Sequence, residues 1–157
     1  MTEKYFYNIS LKKYFYHWIV GFYYIRSVMY PLSIFIAVMS FVFGSCIGSF
    51  LNVVIYRMPE GRSIVSPPSH CPACSRAIPF YFNLPIISFL LLKGKCGFCK
   101  APISIRYPLV ELMTGCLALG LFFKFGLTPT ALFYFIFGAV LIAISFIDLD
   151  HQIIPDK

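Results

Sequence analysis

Three apolar stretches, each close to the roughly 20 residues a helix needs to cross a bilayer, constrain this chain more than any other feature. The first runs from Pro31 to Ile55 without a charge. The second runs from Leu109 to Phe125, with Glu111 at its start and Lys124 near its end. The third runs from Thr128 to Ile147, where Asp148 ends it. Composition closes off the alternatives. Only 12% of the residues are charged and 59% are hydrophobic, against about 25% charged in an ordinary soluble domain. Too few charges remain to coat a water-facing globule, and the wealth of Phe and Tyr is incompatible with a solvated, disordered chain. The expected fold class is an all-α membrane protein of about three transmembrane helices, with a zinc-ribbon-like loop between the first and second.

Basic residues orient the spans. Between Arg57 and Arg106 lie seven Lys/Arg against one acid, Glu60, whereas the turn between the second and third spans carries only Lys124. The positive-inside rule then puts residues 57–108 in the cytoplasm and 125–129 outside. The third span returns inward and brings Asp148 to the cytoplasmic edge of the lipid. Lys4, Lys12, Lys13 and Arg26 in the N-terminal extension pull the other way, four against seven. The net charge of +7 favours anionic lipid headgroups as a partner and gives little reason to invoke nucleic acid. The resulting division is an extension over 1–28, read as an amphipathic surface segment, a first transmembrane helix over 29–56, a Cys-rich loop domain over 57–108, and two further helices over 109–157. Another apolar run, Phe80 to Leu92, is too short to cross and is broken by Asn83 and Pro85. It is expected to lie in the interface or fold back on the loop domain. No internal repeat is evident.

Four of the six cysteines form two Cys-x-x-Cys pairs, Cys71 with Cys74 and Cys96 with Cys99, separated by 21 residues. Two tight turns of this kind aim four thiolates at one Zn²⁺ ion, and a four-thiolate site has no open position for chemistry. Arg76, Lys95 and Lys100 offset the charge of such a centre. A redox dithiol pair and unrelated free thiols are the competing readings, and His70 beside Cys71 could stand in for a ligand. At the other end of the chain, Asp148, Asp150 and Asp156 account for three of the six acids. A carboxylate directly after an apolar span is a candidate functional group, but it is equally a plain marker of where the helix meets water. Glu111 reads as a helix-start cap or an ion-pair partner of Arg106. The small-residue spacing of Gly44 and Gly48 permits close helix packing, and Asn52 reads as a bond to a neighbouring helix.

Taken in order, these motifs resemble one family, the type IV prepilin peptidases, or prepilin leader peptidase/N-methyltransferases. The resemblance rests on Gly48-Ser49-Phe50-Leu51-Asn52 through Arg57-Met58-Pro59, the two cysteine pairs, and Asn83-Leu84-Pro85-Ile86-Ile87-Ser88 between them. It continues through Gly94-Lys95-Cys96, Arg106-Tyr107-Pro108-Leu109-Val110-Glu111, and Asp148 followed by Pro155-Asp156. It implies a multi-pass protein of the bacterial inner membrane with the Cys-rich loop in the cytoplasm. It also implies an aspartic endopeptidase that cuts the leader from type IV prepilins or pseudopilins. N-methylation of the new amino terminus, with S-adenosylmethionine as donor, would follow.

In that resemblance Asp148 matches the first of two catalytic aspartates, and residues 109–157 begin the peptidase domain. The loop that carries Cys71, Cys74, Cys96 and Cys99, read above as a structural zinc site, is associated in the resemblance with methyl transfer, and Gly94, with Lys95 beside it, matches a glycine tied to that activity. The family's second aspartate lies in a Gly-x-Gly-Asp motif that does not occur in these 157 residues. The expectation is therefore a truncated N-terminal portion with an incomplete dyad, inactive alone. A non-catalytic, membrane-anchored zinc-binding adaptor is the alternative.

Overall fold

A computed structural model describes the backbone of residues 3–151 and the side chains of 30–79 and 81–150. The side chains of the 1–28 extension, and Pro155 and Asp156, lie outside the described residues. The described residues form four α-helices, α1 (Glu3–Arg57), α2 (Ile87–Leu91), α3 (Arg106–Phe125) and α4 (Pro129–His151), with a 3₁₀ turn at Phe80–Phe82. The described residues form no strand, and three helices are long and apolar enough to cross a membrane. Their spans are Tyr30–Arg57, Arg106–Phe125 and Pro129–Asp150. Only 28, 28 and 22% of their most apolar windows is buried, so most of the apolar surface faces outward, as lipid-facing helices require. The expected all-α membrane architecture is the one observed.

By contacts the chain divides into two units, residues 1–36 and 37–157. In the first, Tyr30, Leu32, Ile34 and Phe35 are exposed, and the Ser33 hydroxyl donates to the Tyr30 carbonyl at 2.9 Å. In the second, the remainder of α1 packs on α3 and α4. Val110 of α3 and Ile55 of α1 are fully buried and cluster with the buried Ala143 of α4, and Leu51, Ile142, Phe146 and Ile147 pack against them.

Small residues make the α1–α3 contact possible. A Cβ on Gly48 would strike the Thr114 hydroxyl oxygen and come within 2.7 Å of the Glu111 Cα, and a Cβ on Gly44 would come within 2.7 Å of the Ala118 Cβ. The backbones approach this closely because neither position carries a side chain.

Local chemistry sets the helix ends. Pro59 follows α1 and cannot continue it. α3 ends at Gly126, whose φ of 65° suits glycine and whose N–H reaches the Phe122 carbonyl at 2.8 Å. Two residues later Thr128 caps α4, its hydroxyl accepting from the Ala131 N–H at 3.3 Å, and Pro129 occupies the first helical position. This tight turn makes α3 and α4 an antiparallel hairpin, so the end of α4 returns to the start of α3.

Candidate functional site

The loop between α1 and α3 contains two copies of one knuckle. In the first, the Cys71 N–H donates to the Arg76 carbonyl at 3.0 Å and the Ser75 N–H to the Cys71 carbonyl at 2.8 Å. A bridge from His70 to Ala77 and a bond from the Ile78 N–H to the Ser69 carbonyl close it. The second knuckle repeats every one of these contacts 25 positions later. The Cys96 N–H meets the Ala101 carbonyl, the Lys100 N–H the Cys96 carbonyl, Lys95 bridges Pro102, and the Ile103 N–H meets the Gly94 carbonyl. Ser75 (φ 57°) and Lys100 (φ 61°) turn the chain through the left-handed region at matching points. An internal repeat therefore exists, contrary to the sequence reading. Its trace in the sequence is an Ile seven positions after the first Cys of each pair.

The two knuckles bring Cys71, Cys74, Cys96 and Cys99 together, with all four sulfurs within 4.8 Å of one another. Cys71 and Cys99 are 3.8 Å apart. A tetrahedron with metal–sulfur bonds of about 2.3 Å has edges of about 3.8 Å, so the four thiols fit one tetrahedral ion. His70 is exposed and turns its Nδ1 to the Pro68 carbonyl, outside this cluster. The N–H groups of Cys99 and Phe98, aimed at the Cys96 sulfur, lower its thiol to about 6, with bonds from Cys71 and Cys99 adding to them against desolvation. For Cys99 the Ala101 N–H works downward, but desolvation and the sulfurs of Cys74, Cys96 and Cys71 outweigh it and push the thiol up to about 11. The Cys96 thiolate is thus among the groups that keep the Cys99 proton in place until a cation replaces it.

Beside the knuckles, the 83–91 segment folds back on the loop domain, one of the two arrangements expected for the short apolar run. The Ser88 hydroxyl receives the Leu84 N–H at 3.1 Å and donates to the Tyr81 carbonyl at 3.2 Å. Ile86 has a φ of 61°, a costly conformation for a β-branched residue. Its N–H is held at 2.7 Å by the Glu111 carboxylate from α3. Glu111 is therefore a tether to the loop. It is not the partner of Arg106, because Arg106 pairs with Asp150 near the end of α4. Neither contact is visible in the spacing of charges along the chain.

A cavity of about 790 Å³ opens between the end of α1, the knuckles and the start of α3. Asn52, Glu111, Arg106, Phe82, Phe89 and Phe98 contribute to its wall. Asn52 is 2% exposed, and its amide N–H donates to the Tyr107 carbonyl at 3.0 Å, the bond to a neighbouring helix expected of it. Because a carbonyl can only accept, that bond fixes the amide orientation. Its Oδ1 is left buried and without a partner among the described residues, a state that costs about 1–3 kcal/mol. Gly94 and Lys95 belong to the second knuckle, outside the cavity wall. Gly94 (φ 67°) lies against Phe89, whose ring a Cβ would meet at 3.1 Å. Asp148 is half-buried near the end of α4, at the same end of the α3–α4 hairpin as Arg106.

Apolar spanning helices, with a four-thiol module inserted between the first and second, define a polytopic all-α membrane protein with a candidate metal centre at one end of its bundle. The chain belongs to the family described as the Bacterial Peptidase A24 N-terminal domain, whose model matches residues 42–125. It is 48% identical over 119 residues to the "Prepilin leader peptidase/N-methyltransferase" of Myxococcus xanthus (strain DK1622), covering 76% of this chain and 36% of that protein. With the protein of the same description from Neisseria gonorrhoeae it shares 40% over 155 residues, covering 83% and 53%. With the "Type 4 prepilin-like proteins leader peptide-processing enzyme" of Escherichia coli O78:H11 it shares 44% over 137 residues, covering 76% and 51%. The chain thus spans from about a third to about half the length of these curated relatives. No solved structure matches it.

Proposed function

We propose that this chain is the N-terminal part of a prepilin leader peptidase/N-methyltransferase of the bacterial inner membrane. Residues 29–56 are the first span, 57–108 a cytoplasmic loop domain, and 109–157 the start of the peptidase domain. Its substrates are type IV prepilins or pseudopilins, cut at the cytoplasmic face. The observation that carries this reading is the Arg106–Asp150 pair, which fastens the helix end bearing Asp148 to the end of α3 that adjoins the cysteine module.

Asp148 would share one proton with a second carboxylate supplied by residues beyond these 157. One carboxylate takes a proton from water as its oxygen attacks the scissile carbonyl. The other holds that carbonyl polarised, and a proton then passes to the departing amine.

Zinc is the ion that the donor set suits. Cys71, Cys74, Cys96 and Cys99 would hold it, and with four thiolates it folds the loop and leaves no position for substrate. S-adenosylmethionine, when bound, would supply the methyl group for the new amino terminus. The 790 Å³ cavity, with its unsatisfied Asn52 oxygen, has the size and polarity for a ligand of that class. Gly94 and Lys95 would act on this step through the second knuckle.

The test is leader cleavage in cells that lack their own peptidase. The complete protein should restore cleavage, and Asp148→Asn should lower it by at least about 100-fold, the scale of acid–base catalysis, with zinc content intact. Cleavage near the wild-type rate removes Asp148 from the chemistry.

A further inference from the structure

We infer that the 84–91 segment is an in-plane lipid anchor. Through Leu84, Ile87, Leu90 and Leu91 it seats the knuckle module in the leaflet on the module's own side of the membrane. The inference needs only that α3 and α4 cross the bilayer, and it is independent of the peptidase reading.

One hydrogen bond sets the depth. The Ile86 N–H is held by the Glu111 carboxylate, and Glu111 stands five residues into α3 from Arg106. Five helical residues rise about 7.5 Å, so Glu111 lies that far toward the bilayer centre from Arg106, whose pair with Asp150 forms the polar rim of the hairpin. Folding back on the loop domain therefore does not lift the segment off the membrane. It packs beside the first turns of a spanning helix, at the depth of about 5–10 Å where interfacial helices bury their apolar face.

The two faces of the segment differ. Ser88 is buried, and Phe89 is half-buried against Gly94 of the second knuckle. Leu84, Ile87, Leu90 and Leu91 are between 48 and 77% exposed. No charge occurs between Arg76 and Lys93. The exposed Lys93 and Lys95 then follow, and long basic side chains at such a boundary reach headgroup phosphates. The backbone is satisfied internally, as hydrocarbon demands. The Leu84 N–H goes to the Ser88 hydroxyl, and the Ser88, Leu90 and Leu92 N–H groups go to carbonyls four positions back.

Lipid is the occupant that this face fits. Helices that pack on one another in a membrane meet through small residues, as α1 meets α3 through Gly44 and Gly48. The exposed members of the 84–91 segment are only Leu and Ile, and Leu109 and Leu112 of α3 are exposed at the same depth.

The experiment is photo-crosslinking of the complete protein in cells grown on radiolabelled phosphate, so that phospholipids carry the label. The photoreactive residue p-benzoylphenylalanine replaces Ile87, Leu91 or, on the inward face, Phe89. Positions 87 and 91 should give labelled lipid adducts at least about 5-fold above position 89, because only their face meets the leaflet. Two outward positions guard against one that fails to fold. Adducts from 87 and 91 to protein, within the chain or in a second copy, overturn the anchor by showing a protein-covered face. No adduct at either position means a face in water, and equal lipid labelling at 89 means a segment without a fixed face. Either result overturns it as well.

Discussion

Arg106, in the first turn of α3, is ion-paired with Asp150 near the end of α4, two residues beyond Asp148. Two residues along a helix correspond to a rotation of about 200°, so pairing Asp150 with α3 turns Asp148 to a nearly opposite direction. The partly exposed pair contributes at most about 1 kcal/mol to stability, and its consequence is the rotational setting of α4. Asp150→Asn should therefore reduce leader cleavage about 10-fold through kcat, with the KM for prepilin within about 2-fold. Exchanging the charges, Arg106→Asp with Asp150→Arg, should restore part of that loss. Steady-state kinetics on the complete protein check both.

Glu111 supplies the acceptor that holds the Ile86 N–H, and Ile86 sits in a conformation that its side chain disfavours. Glu111→Ala removes a charge-assisted bond worth about 1.5–3 kcal/mol. Amide hydrogen exchange over residues 84–92 should accelerate by 10-fold or more. Glu111→Gln keeps an acceptor oxygen and should produce a smaller acceleration.

The α1–α3 contact has its own signature. Gly48→Ala forces a methyl group against Thr114 and the α3 backbone, and overpacking of this kind costs about 1–3 kcal/mol. Gly120, also on α3, has nothing within 4 Å of a built Cβ. Gly120→Ala should be neutral or slightly stabilising, because alanine favours the helix by about 1 kcal/mol over glycine. Thermal unfolding in micelles should separate the two variants clearly.

For the metal centre, one zinc per chain is expected by elemental analysis of purified protein. Cys71→Ser or Cys96→Ser should abolish it, and Cys46→Ser should leave it unchanged. Loss of the ion should expose residues 69–104 to protease, because two knuckles without a sheet have little apolar core of their own. Metal-free wild-type protein contradicts the site.

Much of this architecture was legible from residues alone. The three spans were visible because an apolar run of fixed length has few other uses, and the structure shifts their ends by only a few positions. The cysteine cluster was visible because its spacing is a local property. What stayed hidden depends on elements meeting in space. The choice of Asp150 over Glu111 as the partner of Arg106 follows from the α3–α4 hairpin, and the bond from Glu111 to Ile86 crosses 25 positions. The knuckle repeat was missed because backbone bonds define it and its side chains hardly repeat. The cavity appears only once α1, the knuckles and α3 are assembled.

The central claim is that the cysteine module and Asp148 face the cytoplasm while the α3–α4 turn faces out. Leu127 precedes the start of α4 and Leu149 lies near its end, so a cysteine at each place reports which side of the membrane that end of the helix meets. Single Leu127→Cys and Leu149→Cys variants, with Cys46 and Cys116 replaced by serine, can be labelled in intact cells by a membrane-impermeant maleimide. Residue 127 should label at once, and residue 149 only after the membrane is opened. Labelling at 149 and protection at 127 in sealed cells would contradict the account.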